Sequence, residues 1–229
     1  MMIQLKDFEA KLESRTFIEK AFNAFNLLQS EVDISKLRLR KDGCKELVEE
    51  ILPVATFLGC FERPGLNLFC QYFPRNKKGS MTKSFEAKVY CEGLLVEKRA
   101  LHNEYFIEVS VACHPKDYLK RECSVKGFPC FEGSEIERQP DGTIKSAPQA
   151  RTSCDLIAEH LNYIRSRIED KSNKNYPNNT FLIIPLFPDA IIMQGEWMSI
   201  LEKLLAVEHI SAFCGLFVYD SISHRKAFL

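Results

Sequence analysis

Along the first third of the chain the apolar residues recur at helical spacing. Leu5, Phe8, Leu12, Ile18, Phe22, Phe25 and Leu28 predict one or two helices over residues 4–29. A second helical stretch covers 44–59, CKELVEEILPVATFLG, with Leu47, Ile51, Val54 and Leu58 on one face. Pro53 should bend it or mark a boundary, and Gly59 suits its C-terminal stop. The period then changes to two. LNLFCQYF (66–73), SFEAKVYCEGLL (84–95) and EYFIEVSVAC (104–113) alternate and are rich in β-branched and aromatic residues, which predicts three strands. The polar, basic segment PRNKKGSMTK joins the first two as a loop. VEKRALHN, between the second and third, is short enough for an antiparallel connection.

PKDYLKRECSVKG then predicts a short helix with Pro115 in its first turn. Residues 127–149 lack periodicity and carry Gly and Pro, with a hairpin expected around Pro140, Asp141 and Gly142. A long helix follows over 150–171, where Leu156, Ile157, His160, Leu161, Ile164 and Ile168 share a face. FLIIPLF (181–187) is apolar throughout, the pattern of a strand covered on both sheet faces. EWMSILEKLLAV (196–207) predicts a helix and FCGLFVYD (213–220) a final buried strand. Three meandering strands followed by strands that alternate with helices define an α/β protein, a central mixed sheet with helices on both faces. The expected division is an N-terminal helical extension over 1–35 and an α/β domain over 36–229. Phe17, Phe22 and Phe25 suit either the domain's own core or a neighbouring subunit, so a homo-oligomer built through the N-terminal helices is one expectation.

Composition narrows this picture. The chain has 229 residues, 45% hydrophobic and 27% charged, with zero formal net charge, so any basic surface must be local. No apolar run reaches the roughly 18 residues that span a bilayer, and the charged N-terminal segment MMIQLKDFEAKLESR lacks a signal-peptide apolar core. A cytoplasmic protein without a membrane partner is expected. Nine cysteines are present, none in a CxxC pair. Reduced, structural thiols are expected from their apolar contexts; a zinc site drawn from Cys113, His114, Cys123 or Cys130 is the other use. GxSxG, Walker, GxGxxG and HExxH motifs are absent, which lowers support for Ser-His-Asp hydrolases and nucleotide-binding enzymes.

The chemistry concentrates in FIEVSVACHPKDYLKRE, residues 106–122. On the third strand Phe106, Glu108 and Ser110 point one way, while Ile107, Val109 and Val111 form an apolar face. On the second strand Glu86, Lys88 and Tyr90 share a face. If the two polar faces coincide, Glu86 and Glu108 meet across the hairpin within roughly 5 Å. Two carboxylates at that separation repel unless a cation joins them. Mg²⁺ or Mn²⁺ is the natural candidate, able to orient water against a phosphodiester.

A helix, a hairpin with an acid on its second strand and E-x-K on the third, then a helix and a strand, resembles the PD-(D/E)xK nuclease superfamily. FIEVSVACHPKDYLKRE resembles its E-x-K strand and following helix, including the divergent branch in which the next helix supplies the lysine. The resemblance covers roughly residues 44–187 and implies a restriction-endonuclease-like core that cleaves, or in degenerate form only binds, DNA or RNA. Carried over by position, Glu108 is the strand ligand and Glu86 the second metal ligand. Glu50 is the helix acid, and Lys120 is the displaced catalytic lysine, Ser110 standing where the lysine usually is. The Pro-Asp pair is absent. Its place falls near Lys83 and Ser84, and no aspartate occurs between Asp42 and Asp117.

Other assignments stay open. Glu86-Ala87-Lys88 is itself an E-x-K, with Glu62 upstream, and Glu108 would then be a bystander. Glu108 could equally face solvent or pair with Lys88 across the hairpin, a contact worth only a fraction of a kcal/mol when exposed. Arg75, Lys77, Lys78 and Lys83 form a basic loop able to follow a nucleic-acid backbone. Lys171, Lys174 and Asn175 could do the same. His114 suits a surface helix start and His160 a satisfied core position. A non-enzymatic interaction protein is the alternative to a nuclease.

Overall fold

The computed structural model describes residues 4–30, 34–74, 85–98, 100–128, 135–188, 191–206 and 212–229. In chain order these form β1 (Leu12–Glu13), α1 (Ser14–Ser30), α2 (Ile34–Leu39), α3 (Cys44–Glu46), a π turn (Leu47–Ile51) and α4 (Leu52–Leu58). Next come β2 (Asn67–Tyr72), β3 (Ala87–Glu92), α5 (Leu94–Glu97), β4 (Glu104–Val109) and α6 (Asp117–Lys126). The hairpin β5 (Glu135–Arg138) and β6 (Ile144–Ala147) is followed by α7 (Ser153–Ser172), β7 (Thr180–Leu186), α8 (Gln194–Leu204), β8 (Gly215–Asp220) and β9 (Lys226–Phe228).

Seven strands make one mixed sheet in the order β1-β2-β3-β4-β7-β8-β9. The first four are antiparallel neighbours. β7 then runs parallel to β4, and β8 parallel to β7. Each parallel step needs a long crossover, and α7 and α8 lie in those crossovers. β5 and β6 pair only with each other, at the turn that Pro140, Asp141 and Gly142 imply.

Alternation along β7 and β8 sorts side chains to two cores. Ile183 and Phe217 face a cluster with Phe17 of α1 and with Leu47, Ile51, Val54 and Leu58, the stripe read from the sequence. Leu182, Ile184, Leu216 and Val218 face the opposite way, onto Ile164 and Ile168 of α7 and Trp197 and Ile200 of α8. Helices therefore cover both faces of a mixed sheet, as the apolar pattern implies.

Several differences have physical reasons. Phe8, Phe17, Ala21 and Leu28 belong to the same core as the sheet, and β1 pairs with β2. The segment read as an extension is thus packed on the domain. Of the three phenylalanines there, Phe17 is buried and Phe22 is exposed. β1 and β9 escape a periodicity reading because two or three residues carry no period. Phe228 nevertheless anchors β9, with its ring 4.7 Å from Phe217 and 5.2 Å from Phe61. The second strand, read to residue 95, stops at Glu92, and its last two residues with the start of the link form α5, which Gly93 enters at φ 110. A Cβ at Gly93 would come within 2.5 Å of the Gly65 carbonyl oxygen, so only glycine fits.

Helix 44–59 is not uniform. Its central π turn precedes Pro53, which occupies the first turn of α4. A proline there removes no intrahelical hydrogen bond that α4 needs. The wider turn also brings consecutive residues, Glu49 and Glu50, onto the same cleft. Single π turns are frequent at functional positions.

Candidate acidic cleft at the end of strand β4

β3 and β4 pair Ala87 with Ile107, and Glu86 and Glu108 each lie one residue beyond that pair. The Glu86 amide donates to the Ile107 carbonyl at 2.9 Å. The Val109 amide donates to Glu86 Oε2 at 2.8 Å. The two glutamates are thereby brought together at one end of the strand pair, and both are buried, 0% and 1% exposed.

Glu108 does not pair with Lys88. Lys88 reaches Glu104 at 2.7 Å and lies over the Phe106 ring. Lys171 of α7 donates instead to Glu108 Oε1, in an ion pair whose lysine side chain is only 10% exposed. Burying a carboxylate without a partner costs several kcal/mol, and two adjacent ones compound the penalty. Lys171 supplies the compensating charge.

Glu50 comes from the π turn. Tyr72, fully buried on β2, donates its hydroxyl hydrogen to Glu50 Oε2. A cleft of about 480 Å³ is lined by Glu49, Glu50, Glu86, Ser110 and Lys171, with Lys45, Arg167, Asp170 and Lys174 among its other walls. Arg167 is held by its Nε–H donating to the Val111 carbonyl at 2.9 Å. Ser110 is fixed by its amide donating to Ile183 at 2.9 Å.

Of the residues singled out in the sequence, the fold draws Glu50, Glu86 and Ser110 to this cleft and buries Glu108 at its edge. Lys120 stands on α6, half-buried, while the lysine that meets Glu108 is Lys171. Glu62 stands apart, 3.8 Å from Arg15 on the surface. Arg75, Lys77, Lys78 and Lys83 lie outside the described residues. Lys174 and Lys171 both line the cleft, Lys171 from the last turn of α7.

Tyr72 escaped notice, and Lys171 was read as a backbone-following cation rather than as the partner of Glu108. Tyr72 continues the buried alternation of Leu68 and Cys70. Lys171 extends the buried stripe Leu161, Ile164, Ile168 by one more helical step. A cation at the end of an apolar stripe is the signal that could have found it.

Among the described residues no group of three or more His, Cys, Asp or Glu is arranged to hold a metal ion. The eight described cysteines are free thiols. Burial pushes the Cys113 thiol up to about 11. His114 accepts the Lys116 amide at 3.0 Å through Nδ1, fixing the start of α6. His160 is buried with Nδ1 2.7 Å from the Leu156 carbonyl, the satisfied core position expected of it. No described helix is long and apolar enough to cross a membrane.

Compared with known proteins, the chain matches no family model, no curated protein and no solved structure.

Proposed function

We propose that the cleft is the active site of a metal-dependent nuclease that hydrolyses phosphodiester bonds in DNA or RNA. One observation carries this reading. Glu86 and Glu108 are buried side by side at the end of β4, with Lys171 on Glu108 and Glu50 at the same cleft. The chain order supports it as well. A helix bearing Glu50, the β2-β3-β4 meander and a later strand parallel to β4 agree with the order that the resemblance to a restriction-endonuclease-like core implies.

The carboxylates fit Mg²⁺ or Mn²⁺ better than an all-protein cage. Mg²⁺ characteristically takes one or two carboxylates, keeps several waters and completes its shell with substrate phosphate. Glu86 and Glu50 would hold the ion, with Glu108 beside them. When bound, it would polarise the phosphate and lower the pKa of a water. The chain's own groups do the rest. Tyr72 orients Glu50, and the Val109 amide fixes Glu86. Lys171 neutralises Glu108 and is the lysine nearest the chemistry, in the place the resemblance gives to Lys120. Lys45, Arg167 and Lys174 offer cations to the phosphates of an entering strand.

A second reading has its own support. Lys171 already neutralises Glu108, so a degenerate relative that binds nucleic acid without cutting it would keep the same interior. Labelled single- and double-stranded DNA and RNA, incubated with Mg²⁺, Mn²⁺ or EDTA, separate the two. Cleavage that needs metal and is lost in Glu86→Gln, with the circular dichroism spectrum unchanged, is the expected result. Retarded migration without cleavage would leave the binding protein. Neither binding nor cleavage, with no Mn²⁺-induced rise in Tm, would sink both.

A further inference from the structure

A second concavity, a groove of about 690 Å³, lies on the other side of the π turn. Val48, Leu52, Ala55, Phe187 and Tyr219 form part of its floor. Ile18, Phe22 and Phe25 of α1 provide an apolar wall. Four cations, Arg38, Arg40, Arg121 and Lys226, line it together with His224, and no Asp or Glu is in the lining among the described residues. Its volume is that of a small-molecule site, commonly ~300–1,000 Å³.

The cations exceed what the surrounding acids balance. Arg40 and Arg121 share one carboxylate, Glu49, each at 3.4 Å. Arg121 also meets Asp117 at 3.0 Å. Among the described residues Arg38 reaches the Ser124 carbonyl, at 3.5 Å, and no carboxylate. Burial, and then the neighbouring Arg121 charge, pull Arg40 below its ordinary pKa. Its guanidinium also sits over the Phe187 ring, 5.6 Å from the centroid, at the junction of the apolar floor and the cationic wall.

We propose that this groove binds a long-chain carboxylate, its apolar chain against Phe22, Phe25 and Leu52 and its head on Arg38 and Arg40. Charge selects the head: among the described residues four cations line the groove while Glu49 and Asp117 are the carboxylates that meet them, and a bound carboxylate adds an anion that guanidinium receives through paired N–H donors. The apolar wall selects the tail, because each methylene withdrawn from water adds to binding. This site is separate from the acidic cleft and requires no metal.

Isothermal titration of the full chain with dodecanoate, below its micelle concentration and in EDTA, tests the proposal. Saturable binding at one site per chain is expected, weakened at least tenfold in Arg40→Gln and several-fold in both Arg38→Gln and Phe22→Ser. Arg38 and Phe22 are exposed, so these two variants guard against a folding defect in the first. Dodecyltrimethylammonium should not bind at the same site. Absence of saturable binding, equal binding of the cationic amphiphile, or uptake of many molecules per chain would each overturn it. So would binding only to anionic vesicles, which would make the face a membrane-contact surface.

Discussion

Two glutamate–lysine pairs in this molecule are chemically the same and physically opposite. Glu108 and Lys171 meet at the end of β4, with side chains 1% and 10% exposed. Glu122 and Lys126 meet one turn apart on α6 at 2.6 Å, with side chains 24% and 50% exposed. Arg138 of the β5–β6 hairpin also reaches Glu122. The inner pair comes from elements 63 residues apart and exists only because the sheet and α7 are packed. The outer pair follows from helical spacing alone. Water screens the outer pair and lets either member go, whereas the inner pair stands or falls together. Ion pairs of equal appearance thus differ in what they hold: one fastens a cleft, the other decorates a helix.

The largest effect should come from breaking the inner pair. Lys171→Met leaves Glu108 buried without its cation, and denaturant unfolding should show a loss of about 3–5 kcal/mol. The double variant Glu108→Leu with Lys171→Met should recover most of that loss, since a well-packed apolar pair often matches a buried ionic one. A single-variant loss no larger than that of Lys126→Ala would erase the contrast.

Next in size is Tyr72→Phe, which takes the hydroxyl from Glu50 inside the same cleft. A loss of about 1–3 kcal/mol is expected, as for an interior acceptor deprived of its donor. If the cleft is catalytic, the variant should lower cleavage further than its stability loss explains. On the outer side, Thr152 caps α7: its hydroxyl accepts the Asp155 amide at 3.2 Å, and the Asp155 carboxylate accepts the Thr152 amide at 2.9 Å. Thr152→Ala should cost about 1 kcal/mol, read as a fall in Tm.

The smallest effect sharpens the outer side of the comparison. Hydrogen bonds from Lys126 and then Arg138 hold the Glu122 carboxyl below the usual glutamate range. A carboxyl held down in the folded state adds stability above its unfolded pKa, and that stability is lost as pH falls through the folded value. Lys126→Ala should therefore move the Glu122 titration, followed by carboxyl carbon NMR, toward the ordinary range. The accompanying fall in Tm at neutral pH should be small, because water screens the pair. A fall as large as that of Lys171→Met would mean that the outer pair is less screened than its exposure implies.

Much of the scaffold was legible in the residues. FLIIPLF reads as a strand covered on both faces, and β7 lies between β4 and β8 with cores on each side. The Leu47, Ile51, Val54 and Leu58 stripe is buried as its spacing requires, and Pro140-Asp141-Gly142 turns a hairpin. Part of the cleft was legible too, because period-two alternation placed Glu86 and Glu108 on facing strands. Lys120 drew attention because the resemblance puts the displaced lysine on the helix that follows the strand. Lys171 sits 63 residues from Glu108; its place at the end of an apolar stripe marks it as buried, but only the packing of α7 on the sheet names its partner.

The sequence by itself determined the type and chain order of the longer strands and helices and their apolar faces, since each follows from periods of 2 or 3.6 residues and from local turn chemistry; β1, α5 and β9 are too short to carry a period. Tertiary structure alone decided which charges share an interior. The π turn sets Glu49 and Glu50 on one cleft, β3–β4 pairing draws Glu86 to Glu108, and the packing of α7 delivers Lys171 to them. Those partners are fixed by the cost of burying a charge, a long-range quantity that exists only once water has been excluded.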